Sequence, residues 1–418
     1  MNPAPFRSGL VLLAALTAGA LALTDPPSRA TGPGPSVARG IQVSGHAKVT
    51  VKGHGFGHGR GLSQYGARGA AEQGLNTRQI LRFYYPHTTV GHKLRKIGVL
   101  ITEDTDENTT VVNRSGLKVR QVHGTEKFTL PTKGRFGKAG QWRLSGGSGR
   151  SVRIRYRTKS WHTWKTMPSD AEFYAKKPIK LVLPGPDVAY RGVLQSRVPP
   201  PGTSTLGRVT INVLPLEGYI QGVVPREMPA LWPKAALQAQ AVAARTYAAF
   251  EARHSPNKMW GVCDTSSCQV YGGRSAETPM SNAAVADTRG RILLYRRAPA
   301  FTQFGSSDGG WTASLAGDPF LPAKKDPYEK RSGNPFHNWR FKIRVSKIEK
   351  AWPSLGRLRS ISIDSRDGNG QWRGRVLELT LHGSAGDVAF GDPATPTRTV
   401  GIFTSTLGLR STWFTITT

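Results

Sequence analysis

The sequence predicts an α+β fold: a β-rich stretch followed by a central helical region, in one large two-lobed domain. From Lys96 to about Val213, apolar residues alternate in short runs separated by Gly, Pro and charged turns. That is the period of half-buried strands. From Leu216 the period changes, with Leu216, Tyr219, Ile220, Val223 and Val224 at i, i+3, i+4, i+7 and i+8, one face of a helix.

At the N-terminus, Arg7 precedes an uncharged apolar run from Gly9 to Leu23, with small residues behind it. This reads as an export leader over residues 1–22, cut after Ala22 or near Ala30, because the run is shorter than the ~20 residues of a spanning helix. An uncleaved anchor is the alternative. Residues 23–40, rich in Pro, Gly, Ser and Ala, read as an unstructured spacer. A domain over 41–418 remains, long enough for a large core or two lobes. Its parts are a glycine-histidine segment (41–95), the β-rich part (96–213) and a core that opens with the helical region and runs to the chain's end (214–418).

Within 41–95, Ile41 to Val51 alternates weakly and runs into His54 to Gly59. A helix is expected over Leu62 to Gln73 with Gly74 at its C-cap. A second is expected over Arg78 to Tyr85, with Thr77 as N-cap and Pro86 closing it. Strands are expected at Ile97–Thr102, Leu117–Val122, Val152–Tyr156, Ile179–Leu183 and Val209–Val213. Pro225 is expected to end the helix that starts at Leu216. Pro233 then suits the first turn of an alanine-dense helix to about Arg253, buried on nearly every side. A short helix (Ser281 to Thr288) and strands Arg291 to Tyr295 and Val376 to Leu381 come after it.

Net charge is +32, from 58 basic and 26 acidic residues. Such a surface draws in polyanions. The basic residues are scattered and no nucleic-acid-binding motif is present, so no nucleic-acid partner is expected. Anionic wall polymers are one counterpart; a solvated surface without a specific partner is the other reading. The two cysteines, Cys263 and Cys268, are separated by four residues, and a short disulfide loop is expected, since a zinc site would need two further ligands. No metal or other cofactor is expected.

Four constellations carry chemistry. Glu227 is a single acid between Pro225 and Pro229 on the expected turn between two helices, beside Met228, Leu231 and Trp232. Apolar surroundings would raise its pKa, as a general acid near neutral pH requires. The alternative is an acid favoured by the dipole of the helix that begins near Pro233. Gln238, Val242, Arg245 and Ala249 share a helix face; Arg245 there either anchors a substrate group or forms a structural ion pair. The run Gly53-His54-Gly55-Phe56-Gly57-His58-Gly59, continuing to Ser63 and Gln64, lets backbone approach a ligand and suits the polar wall of a cleft. It lacks phosphate-loop spacing, and its two histidines are not on a helix. Phe304-Gly305-Ser306-Ser307-Asp308-Gly309-Gly310-Trp311 offers hydroxyls, an acid and an aromatic ring, the residue types of sugar sites. No GxSxG nucleophile elbow is present.

LEGYIQGVVPREMP, AQAVAARTYA and CDTSSCQVYGG between Leu216 and Tyr271 resemble the SpoIID/LytB family of sporulation-related lytic transglycosylases. FGSSDGGWT and GHGFGHGRGLSQYGARGAAEQGLNTRQILRFYYPHT resemble its other signatures. The resemblance implies a SpoIID-like fold in a secreted, wall-associated enzyme, expected to be a monomer. It would cleave the MurNAc–GlcNAc β-1,4 bond of peptidoglycan glycan strands without water, leaving 1,6-anhydro ends. It places the catalytic glutamate at Glu227 and makes Gln240, Arg245, His54, His58, Ser63, Gln64, Ser306, Ser307 and Asp308 substrate-contact candidates. One carboxyl suffices in such chemistry because the sugar's own 6-hydroxyl is the nucleophile, whereas an ordinary glycosidase needs two. A non-catalytic wall-binding protein or modifier of a wall amidase is the alternative on the same scaffold.

Three departures are visible. Ser267 stands where some members carry a zinc-binding histidine. Gln238 replaces a common lysine. The glycine-histidine segment precedes the rest of the domain instead of coming after it, as in a circular permutation. That arrangement predicts that the start of the domain and the chain's end lie together, with the His54 to Gln64 loop folded over Glu227.

Overall fold

The computed structural model describes residues 40–93, 95–392 and 397–418. The expected leader and all of the spacer except Gly40 lie outside them. The fold is mixed, 23% helical and 34% strand, consistent with α+β.

Residues from 40 onward belong to one compact unit with two hydrophobic cores. The first joins two sheets and the helices. A seven-stranded sheet has the order Val262–Cys263, Lys96–Leu100, Val209–Pro215, Val193–Arg197, Ala171–Tyr174, Lys118–Gln121, Lys127–Thr129. A six-stranded sheet runs Trp161–Met167, Val152–Arg157, Gln141–Gly146, Thr109–Val112, Ile179–Leu181, Val188–Tyr190. Alternation gives each a buried face: Val119, Phe173 and Leu194 from one and Trp142, Leu144 and Ile154 from the other lie in the same cluster as Tyr219, Val223 and Val242.

The helices of this core are α1 (Gln64–Glu72), α2 (Thr77–Tyr84), α3 (Leu216–Glu227), α4 (Lys234–His254) and α5 (Pro279–Asp287). The first two start differently from expectation. Ser63 caps α1, its hydroxyl accepting from Gly66 N–H. Asn76, not Thr77, caps α2, in a reciprocal box with Gln79. Helix α4 is buried on most sides, as its alanine density implies.

The second core is formed by Val43, Val49 and Val51 with apolar residues from Trp339 to Ile416. Here strand Lys48–His54 sits between Asn338–Arg344 and Phe414–Thr417, antiparallel to both. The start of the domain and the chain's end are therefore adjacent. The cores thus divide the chain elsewhere than at residue 214, because apolar residues from Trp339 onward pack with those of 43–51 rather than with α3 and α4.

Candidate active site

Helix α3 does not stop at Pro225. The proline forfeits one backbone donor, but the later link, Met228 N–H to Val224 O at 2.9 Å, is made, so the last turn closes. Glu227 is the last residue of α3, and extended Met228 comes next. Both readings of its place are corrected: Glu227 lies not on a turn between helices nor, as in the alternative, near a favourable helix N-terminus, but at a helix C-terminus, where the dipole opposes negative charge.

Two donors hold the carboxyl. Gln64 Nε2 donates to Oε2 and Val270 N–H donates to Oε1, each at 3.0 Å. Burial pushes the Glu227 pKa above the usual carboxyl value; the Val270 and Gln64 hydrogen bonds and the Arg226 guanidinium only partly offset this.

Each donor is braced. Cys263 and Cys268 are bridged, with Cα atoms 5.4 Å apart. Just beyond the bridge, Gln269 accepts from Tyr219 Oη at 3.1 Å and donates to Ala244 O at 3.2 Å, pinning the segment that presents Val270 N–H. Gln64 opens α1. The loop leading to it is stitched to the serine-rich loop by a bridge between Phe56 and Ser307 and by parallel pairing of Leu62–Ser63 with Phe304–Gly305. Gly61 is required there, since a Cβ would lie 2.0 Å from Gln303 O at φ +64°. Gly66 is required in α1, where a Cβ would meet Tyr84 Oη and Asp326.

Beneath Gln64 lies a buried acid cluster. Ser63 Oγ donates to Glu329 Oε1 at 3.1 Å, and Tyr84 Oη donates to Asp326 Oδ2 at 2.6 Å. Burial, with Asp326 and Glu329 nearby, drives Asp308 far above its usual pKa. Glu329 lies below its ordinary value despite burial, through hydrogen bonds from His337, Asp308 and Ser307. The shared environment thus pushes the two carboxyls apart, Asp308 toward its protonated form and Glu329 toward its ionised form.

Several expected substrate contacts are corrected. Arg245 is fully buried and grips Glu217 through two hydrogen bonds of 2.8 and 2.9 Å, with further bonds to the carbonyls of Ala241, Val285 and Arg291. Gln240 is also fully buried and makes no side-chain hydrogen bond. Both lie inside the all-round burial of α4, out of reach of a polymer. Ser307 and Asp308 are buried too, Ser307 Oγ accepting from Asn334 Nδ2, so they support the site from below. Ser306 is half-buried, and its carbonyl accepts from Tyr65 N–H.

His54 is buried between Trp372 and Trp413, with ring centroids 4.8 and 4.7 Å away. Its Nδ1 donates to His337 O and its Nε2 lies 2.7 Å from the Gln371 side chain, while burial lowers its pKa. It supports the fold at the end of the central strand Lys48–His54. His58 keeps exposed surface, but its ring sits by Phe304, Arg60 and Arg375, where desolvation and the two guanidiniums lower its pKa to about 4; its Nδ1 accepts from Arg60 N–H. Ser63 is buried as a cap, which leaves Gln64 as the loop residue that touches Glu227. Among the described residues, no cluster of three His, Cys, Asp or Glu could hold a metal ion.

The rings beside the acid were not foreseen from the sequence. Trp232 packs on Tyr65 at 4.9 Å, Tyr65 on Phe336 at 5.7 Å, and Phe336 on Phe56 at 5.1 Å. Phe56 is 43% exposed and the others half-buried, while Arg68 lies 5.4 Å over Trp232. The row draws on three distant segments, so no local period announces it. Glu329 and His337 escaped for the same reason. The cavity of about 560 Å³ lined by Arg95, Lys96, Arg120 and Trp260 contains none of these residues.

Comparison with known proteins matches residues 206–295 to the SpoIID family, described as Stage II sporulation protein. A Brachyspira hyodysenteriae protein of uncharacterised function is 40% identical over 107 residues, 25% of this chain and 29% of that protein. The amidase enhancer of Bacillus subtilis is 39% identical over 119 residues, 27% of this chain and 16% of the relative. The Stage II sporulation protein D of Bacillus subtilis is 35% identical over 147 residues, 29% of this chain and 42% of the relative. The chain thus spans less than half the length of each of these relatives. The matched segment holds helix α3 with Glu227, helix α4 and Val270, the acid and one of its two donors. On that segment the chain is similar to the SpoIID family.

Proposed function

We propose that this chain is an exported, wall-associated lytic transglycosylase. It would cleave the MurNAc–GlcNAc β-1,4 bond of peptidoglycan glycan strands to 1,6-anhydro ends, with Glu227 as sole general acid/base. The observation that carries the proposal is one buried carboxyl with raised pKa, its two oxygens held by Gln64 and by Val270 N–H. A hydrolase of either stereochemistry needs two. Glu227, largely protonated nearer neutral pH than an ordinary glutamate, gives its proton to the glycosidic oxygen. The resulting carboxylate, stabilised by Gln64 and Val270 N–H, takes the proton of the muramyl 6-hydroxyl as that oxygen closes on C1. The ring row from Trp232 to Phe56 supplies apolar faces for sugar rings, and Arg68 supplies charge beside them. The reversed position of the glycine-histidine segment fits a permuted domain whose ends meet in one sheet.

The test is digestion of intact and peptide-stripped peptidoglycan with wild type and Glu227→Gln, with mass spectrometry of the products. Anhydro-muropeptides from wild type alone are expected; none from wild type on either substrate would sink the reading. A second reading, a modifier of a wall amidase, is favoured by the relative named amidase enhancer. It predicts no anhydro product but faster amidase digestion when the protein is added, unaffected by Glu227→Gln.

A further inference from the structure

The sheet of Lys48–His54, Asn338–Arg344 and Phe414–Thr417 turns Val49, Val51, Trp339, Ile343 and Ile416 inward. Its other face carries Lys48, Lys52, Arg340, Lys342 and Arg344, all exposed, with Thr50 and Thr417 beside them. The register sets Lys48 opposite Arg344 and Lys52 opposite Arg340. Like charges directly opposite destabilise a sheet, yet no acid lies on this face, and none of these five cations pairs with one among the described residues. Cations on an edge strand guard against edge-to-edge association. That accounts for Asn338–Arg344, the edge, but not for Lys48 and Lys52 on the central strand.

We propose that this face binds a linear polyol-phosphate polymer. Arg340, Lys342 and Arg344 recur every ~6.8 Å along one strand, and Lys48 and Lys52 lie one strand spacing of ~4.8 Å away. The result is a two-row cationic strip about 14 Å long. A glycerol-phosphate repeat, a few bonds long, spans a comparable distance, so successive phosphodiesters can each meet a cation. Phosphodiesters stay ionised across the pH range of any wall, and guanidinium forks match their oxygens. Nucleic acid fits less well. Single strands bind by stacking bases on aromatic rings, and the aromatic residues of these strands, Trp339, Phe341 and Phe414, alternate away from the cationic face. The strand bearing Lys48 and Lys52 continues into His54 and the loop that ends at Gln64 on Glu227, so a bound polymer lies on the same element as the site. The assignment does not depend on the glycan-cleaving reading.

The test measures binding of the full chain to immobilised poly(glycerol phosphate) over a range of salt. It compares wild type with Lys52→Gln/Arg340→Gln/Lys342→Gln and with a charge-matched control, Lys159→Gln/Lys177→Gln/Arg289→Gln. The strip variant should bind at least tenfold more weakly at low salt, and its slope of log Kd against log salt should fall by about 2. The control should stay within about twofold, as expected when an effect is local rather than one of net charge. The strip variant should melt no lower than wild type, since it relieves a like-charge pair; if it melts lower, Lys52→Gln alone, with a slope reduction of about 0.7, takes its place. Equal losses in strip and control variants, or no loss in the strip variant, would overturn the proposal. Equal or tighter binding of wild type to single-stranded DNA or to polyglutamate would overturn the polyol-phosphate assignment.

Discussion

Gln64 and Glu227, 163 positions apart, meet through a hydrogen bond of 3.0 Å from the amide to the carboxyl. The contact brings the glycine-histidine segment onto the end of helix α3. It also makes Gln64 a tuning group, because a donor to a carboxylate favours its ionised form. Gln64→Leu should therefore raise the Glu227 pKa further. In the proposed mechanism the first step needs the protonated acid, so the alkaline limb of the kcat/KM profile should move to higher pH while the maximal rate falls. A pH–rate profile of anhydro-muropeptide release checks this; an unmoved limb would mean that the contact does not operate in the working enzyme.

Glu227→Gln should abolish turnover and yet not destabilise the protein. The folded-state pKa is raised, chiefly by burial. Its stabilising contribution is therefore complete below the ordinary glutamate pKa and is lost as pH rises through the folded value. A neutral amide escapes that loss. The Tm of the variant should exceed that of wild type at pH 8, and the gap should close near pH 4. Thermal scans at the two pH values decide it.

The legible parts of the chain were those with local period or local chemistry. Helix α4 showed in its alanines, five strands of 96–213 in their alternation, and the Cys263–Cys268 bridge in its spacing, whereas strands such as Gln141–Gly146, Ala171–Tyr174 and Val193–Arg197 were not foreseen. Helix α3 was legible except at Pro225, because closure of the last turn by Met228 N–H is a tertiary outcome rather than a propensity. Arg245 was legible as a buried cation needing a partner, but the partner, Glu217, lies 28 positions earlier with no pattern joining them. The carboxyl pair of Asp308 and Glu329 was not legible at all. Its meaning comes from burial and shared hydrogen bonds that only the fold creates.

That pair gives a second pH dependence. Asp308 holds its proton well above the usual range, so its contribution to stability is present below the ordinary Asp pKa and drains away as pH rises through its elevated folded value. Asp308→Asn keeps a donor toward Glu329 without a titrating proton. The variant should match wild type near pH 4 and outlast it increasingly as pH rises, with Ser63 and Gln64 still in place and turnover near neutral pH preserved. Urea midpoints across pH 4 to 10 test this. A variant that unfolds earlier at every pH would show that Asp308 is not held in its protonated form.

Opening the disulfide should act on the acid through Val270. The loop is short, so the entropic contribution of the bridge is about 2 kcal/mol, and Cys263→Ser/Cys268→Ser should fold with a Tm lower by a few degrees. Because the bridge braces the segment donating to Glu227 Oε1, kcat should fall more than KM rises, and the alkaline limb of the profile should move upward as it does for Gln64→Leu. A proportionate loss through KM alone would place the bridge with substrate binding instead.

Arg245 separates a structural cation from a substrate-binding one. Removing it as Arg245→Leu strands Glu217, whose two oxygens it holds, and frees three carbonyls inside the helix cluster. Breaking a buried pair from one side costs about 3–5 kcal/mol. Neutralising the partner as well, in Arg245→Leu/Glu217→Gln, removes the uncompensated charge and should recover part of that loss, a coupling that a double-mutant cycle in urea reads directly. The folded fraction of either variant should retain the KM of wild type for glycan strands, because no substrate reaches a fully buried side chain. A large rise in KM with stability unchanged would return Arg245 to the binding surface.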